Sequence, residues 1–223
     1  MIVDDRIVTY IHSLESPNGE ILEKIEKQAH IDKVPIIRKE MESFLRVMLT
    51  IKKPKRILEL GTAVGYSAIL MSECIAEDAT ITTIENYEKR IAVAKENIVM
   101  AGKEKVIQLL EGDAIKIMPS LEAEQFDFVF MDAAKAQYIY FLPEVLRLMK
   151  PGAVLITDNV LQEGDLIQSK YVVRRRDRTI HKRMREYMEA VKNHPMLETS
   201  IVPIGDGVTV SVKREELIVK SEQ

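Results

Sequence analysis

The sequence predicts an α/β chain built on a doubly wound, mostly parallel sheet with helices on both faces, closed by an antiparallel C-terminal hairpin. Three observations predict it. From residue 56 onward, short apolar β-rich runs alternate five times with helix-period segments. Two more β-rich runs flank Gly205-Asp206-Gly207, a tight hairpin signal. The stretch before Pro54 carries helical periodicity instead, so a helical extension (1–53) precedes an α/β core (54–223) in a single domain.

Taken in order, Ile37, Met41, Phe44, Leu45 and Met48 fall on one face of a helix that Lys52-Lys53-Pro54 ends. Arg56–Leu60 is a buried strand, and the glycine turn after it opens a helix reaching Ala76. Thr80–Ile84 is the second strand, with Glu85 at its end; a helix from Tyr87 to Ala101 follows and Gly102 stops it. Val106–Leu110 is a short strand and Asp113–Leu121 a short helix. Phe126–Met131 is an apolar strand ending at Asp132, and Tyr138–Met149 a helix closed by Pro151-Gly152. Ala153–Thr157 is the fifth strand, ending in Asp158-Asn159. A helix from Arg178 to Val191, capped by Asp177 and buried along Ile180, Met184, Met188 and Val191, leads to strands near Thr199–Pro203 and Val208–Lys213. That makes seven strands in all.

With 223 residues, 30% charged, 46% hydrophobic and 5% aromatic, the composition is globular and excludes disorder and collagen-like repeats. The length suits one domain with a full core. No apolar run approaches the ~20 residues needed to cross a bilayer. The segment Met1–Arg6 is acidic and amphipathic, unlike a signal peptide, and Cys74 has no second cysteine to pair with, so the cytosol is the expected address.

The chemistry sits at predicted strand ends. Gly61-Thr62-Ala63-Val64-Gly65 lets the backbone turn sharply and approach a ligand. It matches neither G-x-G-x-x-G nor the P-loop, and no lysine follows it, so a triphosphate is unexpected. The acid before it, Glu59, would repel a pyrophosphate, which favours an uncharged or cationic nucleoside. Glu85 is placed to accept from ribose hydroxyls. Asp113 can accept from an adenine amino group or cap a helix, and the two roles are compatible. Asp132, Asp158 and Asn159 end the fourth and fifth strands; if those strands are neighbours, three hard oxygen donors converge, a set suited to Mg²⁺. Lys135 reaches the same mouth.

These residues, with ELGTAVGYSA, DAAKAQY, DNVL and PIGDG, resemble the divalent-metal-dependent class I O-methyltransferases, including the catechol and caffeoyl-CoA enzymes, over essentially the whole chain. The resemblance implies a Rossmann-like methyltransferase fold and S-adenosylmethionine as donor. It implies that Ile37, Glu59, Gly61, Thr62, Ser67, Glu85, Asp113, Ala114 and Asp132 hold the donor. Asp132, Asp158 and Asn159 would hold Mg²⁺ or another divalent cation, and Lys135 would be the catalytic base or charge stabiliser. A homodimer is implied as well.

Plant phenylpropanoid enzymes of this family carry DADK and DNVLWGG where this chain has DAAK and DNVLQEG, and the chain has no Trp to wall a phenolic ring. Lys170–Arg185 instead packs eight Lys/Arg against one acid in a chain of net charge −3. Arg174, Arg175, Arg176, Arg178, Lys182 and Arg185 are candidate phosphate-binding residues. In this the chain is similar to the bacterial branch that methylates 5-hydroxyuridine in the tRNA anticodon loop. A small-molecule catechol-type methyltransferase and a noncatalytic nucleotide- or RNA-binding module are the alternatives.

Overall fold

The computed structural model describes residues 2–169 and 171–215. Three helices come first, α1 (Asp5–Leu14), α2 (Glu20–Ile31) and α3 (Lys39–Lys52). The core then runs β1 (Arg56–Leu60), α4 (Tyr66–Ser72), β2 (Thr80–Glu85), α5 (Glu88–Met100), β3 (Ile107–Glu111) and α6 (Ala114–Ile117). It continues through β4 (Phe126–Met131), α7 (Tyr138–Leu148), β5 (Met149–Thr157), α8 (Arg178–Asn193), β6 (Leu197–Val202) and β7 (Val208–Lys213).

The seven strands form one Rossmann-like sheet in the order β3-β2-β1-β4-β5-β7-β6. Strands β1 to β5 pair in parallel, β7 runs antiparallel to β5, and β6–β7 is the antiparallel hairpin. Strand order reverses between β1 and β4, which opens a crevice at their carboxyl ends. The central strands are covered on both faces, which is why FDFVFM reads as almost unbroken apolar sequence. On one face α2, α3 and α4 bury Leu22, Met41, Leu45, Leu49 and Ile69 against Ile57 and Phe130. On the other, α7 and α8 bury Phe141, Val145, Met184 and Tyr187 against Leu58, Val129 and Leu155. Among the described residues no helix is long and apolar enough to cross a membrane.

Several boundaries differ from those the sequence predicts, each for a local reason. Ile37 precedes α3, whose buried face is Met41, Leu45 and Leu49. Helix α4 stops at Ser72, where the Glu73 and Cys74 N–H groups tighten onto Leu70 and Met71 carbonyls. Pro119 lacks an N–H, and the expected single helix splits into α6 and a 3-10 turn at Met118–Ser120. Pro151-Gly152 does not separate helix from strand: β5 runs through both, and the register slips between Phe126↔Met149 and Phe128↔Val154 to absorb them. The hairpin loop spans residues 203–207, longer than a tight turn. Helix α8 buries His181, Met184, Tyr187 and Val191, while Ile180 and Met188 lie at the edge. Its rotation follows two polar-tipped anchors, His181 Nε2 against Gln168 O at 3.1 Å and Tyr187 Oη against Thr157 Oγ1 at 2.5 Å. Asp177 sits at the N-cap without capping through its side chain and approaches Arg176 Nε at 3.6 Å.

Candidate active site

The crevice is a cleft of about 770 Å³ whose lining includes Gly61, Thr62, Ser67, Glu85, Asp113, Ala114, Asp132, Lys135, Asp158 and Asn159. The half expected to hold the donor starts at Gly61, which adopts φ +100°. A Cβ there would lie 2.1 Å from the Asp132 carbonyl oxygen, so only glycine lets the β1 and β4 exits touch. The Gly61 and Thr62 N–H groups donate to Ile84 O at 3.0 and 3.3 Å, and Thr62 Oγ1 meets Thr83 Oγ1 at 2.6 Å. The turn is thereby pinned to β2.

Glu85 is the keystone of that turn. Its Oε2 accepts from Ala63 N–H at 2.9 Å, and Oε1 accepts from Asn86 and Tyr87 N–H at 3.0 and 2.9 Å. A carboxylate offers about four acceptor positions, so one remains for a ribose hydroxyl at the cleft surface. Replacing Glu85 by Ala should weaken binding of S-adenosylhomocysteine by one to two orders of magnitude, roughly 1.5–3 kcal/mol for hydrogen bonds to a charged group. Calorimetry checks this; an unchanged affinity would leave Glu85 a backbone brace alone.

Glu59 does not line the cleft. Alternation along β1 turns it inward beside Ile57, where it is fully buried and accepts from Ser67 Oγ and Thr83 Oγ1, both at 2.5 Å. Burial pushes its carboxyl up to about 7. It reaches the cleft only indirectly, through Ser67, which does line it. Asp113 Oδ1 accepts from Ile115 N–H at 3.0 Å, so it caps α6 while facing the cleft with Ala114. Pro35, Ile36 and Ile37, in the linker between α2 and α3, form the roof.

The half expected to face the acceptor lies at the β4 and β5 exits. These strands are parallel neighbours, with Met131 opposite Thr157, so Asp132 and Asp158 come side by side. Asn159, at φ +61°, returns its side chain toward them, and its Nδ2 donates to Asp132 Oδ1 at 3.0 Å. Asn159 N–H donates to Asp158 Oδ1 at 2.7 Å. Burial, followed by the neighbouring Asp132 charge, pushes the Asp158 carboxyl up to about 8. Burial likewise raises Asp132, against the Asn159 hydrogen bond and the Lys135 charge. A buried and a half-buried carboxylate that repel each other, with an amide in reach, suit a divalent cation, since half a turn of the amide exchanges its nitrogen for an oxygen donor. Among the described residues no three His, Cys, Asp or Glu side chains converge on a metal site. Lys135 opens a 3-10 turn (Lys135–Gln137) at the mouth.

Three features are not apparent in the sequence. Arg38 and Asp206 line the same cleft and pair at 3.2 Å. Tyr138 Oη donates to the Asp158 carbonyl at 3.3 Å and stacks edge-on against Tyr187, bracing the β5 exit from below. Arg183 lies over the exposed Tyr140 ring at 5.0 Å and donates to Ala136 O at 3.4 Å, tying α8 to the Lys135 turn. PIGDG points at Asp206 without giving it a task.

Arg174, Arg175, Arg176, Arg178, Lys182 and Arg185 lie outside the cleft lining. Arg178 donates to Val173 and Tyr171 carbonyls and lies over the Tyr171 ring at 6.0 Å. Lys182 faces Glu186 at 3.7 Å, while Arg174, Arg175, Arg176 and Arg185 are exposed. Lys170 lies outside the described residues.

Residues 12–214 match the O-methyltransferase family. The chain is 31% identical over 170 residues to tapetum-specific methyltransferase 1 of Arabidopsis thaliana, covering 75% of this chain and 73% of that protein. It is 38% identical over 127 residues to the catechol O-methyltransferase of Niastella koreensis, covering 56% of this chain and 58% of that one. The O-methyltransferase of Bacillus cereus, solved in complex with SAH, superposes with a TM-score of 0.82 at 25% identity, covering 94% of this chain and 97% of that chain.

Proposed function

This chain belongs to the O-methyltransferase family, and on that premise we propose that it methylates one of two vicinal oxygens of 5-hydroxyuridine in the tRNA anticodon loop. It is an S-adenosylmethionine-dependent O-methyltransferase of the caffeoyl-CoA and catechol type. The observation that carries the acceptor reading is the joining of a basic helix to the Lys135 turn through Arg183, beside the Asp132, Asp158 and Asn159 cluster.

Each part of the cleft has a task in a direct in-line transfer from sulfonium to oxygen. The glycine turn and Glu85 hold the nucleoside of the donor. Asp132, adjoining Gly61 and lining both halves, faces the sulfonium side with negative charge. Asp132, Asp158 and Asn159 would hold Mg²⁺, which would supply a Lewis acid that lowers the pKa of the acceptor hydroxyl. Lys135 takes the hydroxyl proton or balances the charge left behind. The C5 hydroxyl and C4 carbonyl of 5-hydroxyuridine are adjacent oxygens, as are the two hydroxyls of a catechol. A base in a single-stranded loop reaches the cleft without breaking a duplex. The reading includes a homodimer through α1, whose Ile7, Tyr10 and Leu14 are exposed, and a cytoplasmic address.

The second reading, a small-molecule catechol-type acceptor, is favoured by the same chelating geometry. Methyl transfer to bulk tRNA lacking the 5-methoxy group, with nucleoside analysis beside a panel of catechols, decides between them. Replacing Arg174, Arg175 and Arg176 together by Ala should weaken tRNA binding and flatten its salt dependence. The slope should fall by up to ~0.7–0.9 for every phosphate that these arginines neutralise. Binding of S-adenosylhomocysteine should not change, because none of the three lines the cleft. Filter-binding titrations at several salt concentrations measure both; equal affinities and slopes would remove the tRNA reading and leave the catechol one.

A further inference from the structure

Arg38 connects two parts of the cleft that are remote in sequence. It stands at the N-cap of α3, directly after the Pro35–Ile37 roof of the donor half. Its guanidinium reaches across to the hairpin loop, with Nη2 3.2 Å from Asp206 Oδ1 and 3.7 Å from Glu163 Oε1. Asp206 is only 7% exposed. Among the described residues its Oδ1 makes no hydrogen bond, so the Arg38 ion pair is what compensates that buried charge.

The hairpin loop is fixed in turn to the exit of β5. Leu161 N–H donates to Asp206 O at 2.8 Å and Val160 N–H to Gly207 O at 2.9 Å. Gly207 packs so closely there that a Cβ would lie 2.3 Å from Leu161 Cγ. Val160 and Leu161 follow Asn159 directly. A continuous path therefore runs from Ile37 in the roof, through Arg38 and Asp206, to Asn159 on the acceptor wall.

We infer that Arg38 is a positioning residue of the methyl transfer, holding the roof of the donor pocket in register with the acceptor wall through Asp206. In-line transfer requires the two reacting atoms at near-contact distance, and a misplacement of about 1 Å can cost roughly a hundredfold in rate. An exposed ion pair would be too weak for the task. Here one partner is buried, and breaking the pair strands a charge that the loop can relieve only by moving toward water. The inference rests on the donor half of the proposed function and not on the identity of the acceptor, so failure on tRNA leaves it standing.

The test is calorimetric titration with S-adenosylhomocysteine in the presence of chelator, which removes any cation from the comparison. It uses the intact chain and the variants Arg38→Ala, Arg38→Lys, Asp206→Asn and the double variant Arg38→Ala with Asp206→Asn. Arg38→Ala and Asp206→Asn should each weaken binding about tenfold, although Asp206 belongs to the acceptor side. The double variant should be about as weak as either single one, because the two side chains act as a unit. Arg38→Lys should recover most of the affinity. Melting curves establish that each titration is made on folded protein. Unchanged affinity in Asp206→Asn, or losses that multiply to about a hundredfold in the double variant, would overturn the inference.

Discussion

Gly61→Ala should abolish donor binding and lower the melting temperature by roughly 6–12 °C. The added Cβ would lie 2.1 Å from the Asp132 carbonyl oxygen, 2.8 Å from its carbon and 3.1 Å from Ala133 Cα. All three are backbone atoms at the β4 exit, so no rotamer change relieves them. Placing a side chain at φ +100° adds strain of about 1–3 kcal/mol. With the clash, about 3 kcal/mol or more is expected, and in a chain of this size each kcal/mol moves the midpoint by roughly 2–4 °C. Relief must come from parting the β1 and β4 exits, which displaces the donor turn and Asp132 together. Gly102→Ala is the matched control. Its φ of +63° imposes strain but nothing lies within 4 Å of the new carbon, so a loss near 1 kcal/mol and unchanged S-adenosylhomocysteine binding are expected. Equal behaviour of the two variants would show that the close approach at Gly61 does not shape the site.

The sheet and its ligand-facing edge are legible in the sequence because they depend on short-range pattern. Continuous apolar runs such as FDFVFM mark strands buried on both faces, and a polar residue ending such a run falls at the crevice by topology alone. Gly61, Glu85, Asp132, Asp158 and Asn159 are all found that way, and they share one cleft. Glu59 shows where composition misleads: the same β1 carries both the turn and an inward carboxylate, and alternation from the buried Ile57 is the signal that separates them. The phase of α8 is misread from hydropathy because His181 and Tyr187 count as polar yet bury their rings and bond through their tips. The Arg38–Asp206 pair is invisible because it joins segments from opposite ends of the chain, and no local pattern encodes which of 35 acids faces which of 32 cations.

Asp158→Ala should reduce methyl transfer by about three orders of magnitude, near 4 kcal/mol of transition-state stabilisation, while leaving S-adenosylhomocysteine binding within about twofold of wild type. The separation follows from geometry. The donor half depends on the Gly61 turn, Glu85 and the roof, whereas Asp158 directly follows β5, beyond Asp132. Removing its carboxylate relieves burial of a charge that Asp132 and Asp206 repel, and this offsets the loss of the Asn159 N–H hydrogen bond and of the weaker Lys135 attraction. Stability should hold, and the lost activity cannot be assigned to unfolding. Asp132→Ala should behave differently, because the carbonyl of Asp132 packs on Gly61 while its side chain lines both halves of the cleft; donor binding and transfer should fall together. Calorimetric titration with Mg²⁺ gives a measure independent of turnover, and both variants should show weaker cation binding than wild type. Wild-type rates in excess EDTA, or an Asp158→Ala enzyme that keeps its rate, would mean that the paired carboxylates serve the fold and not the transfer.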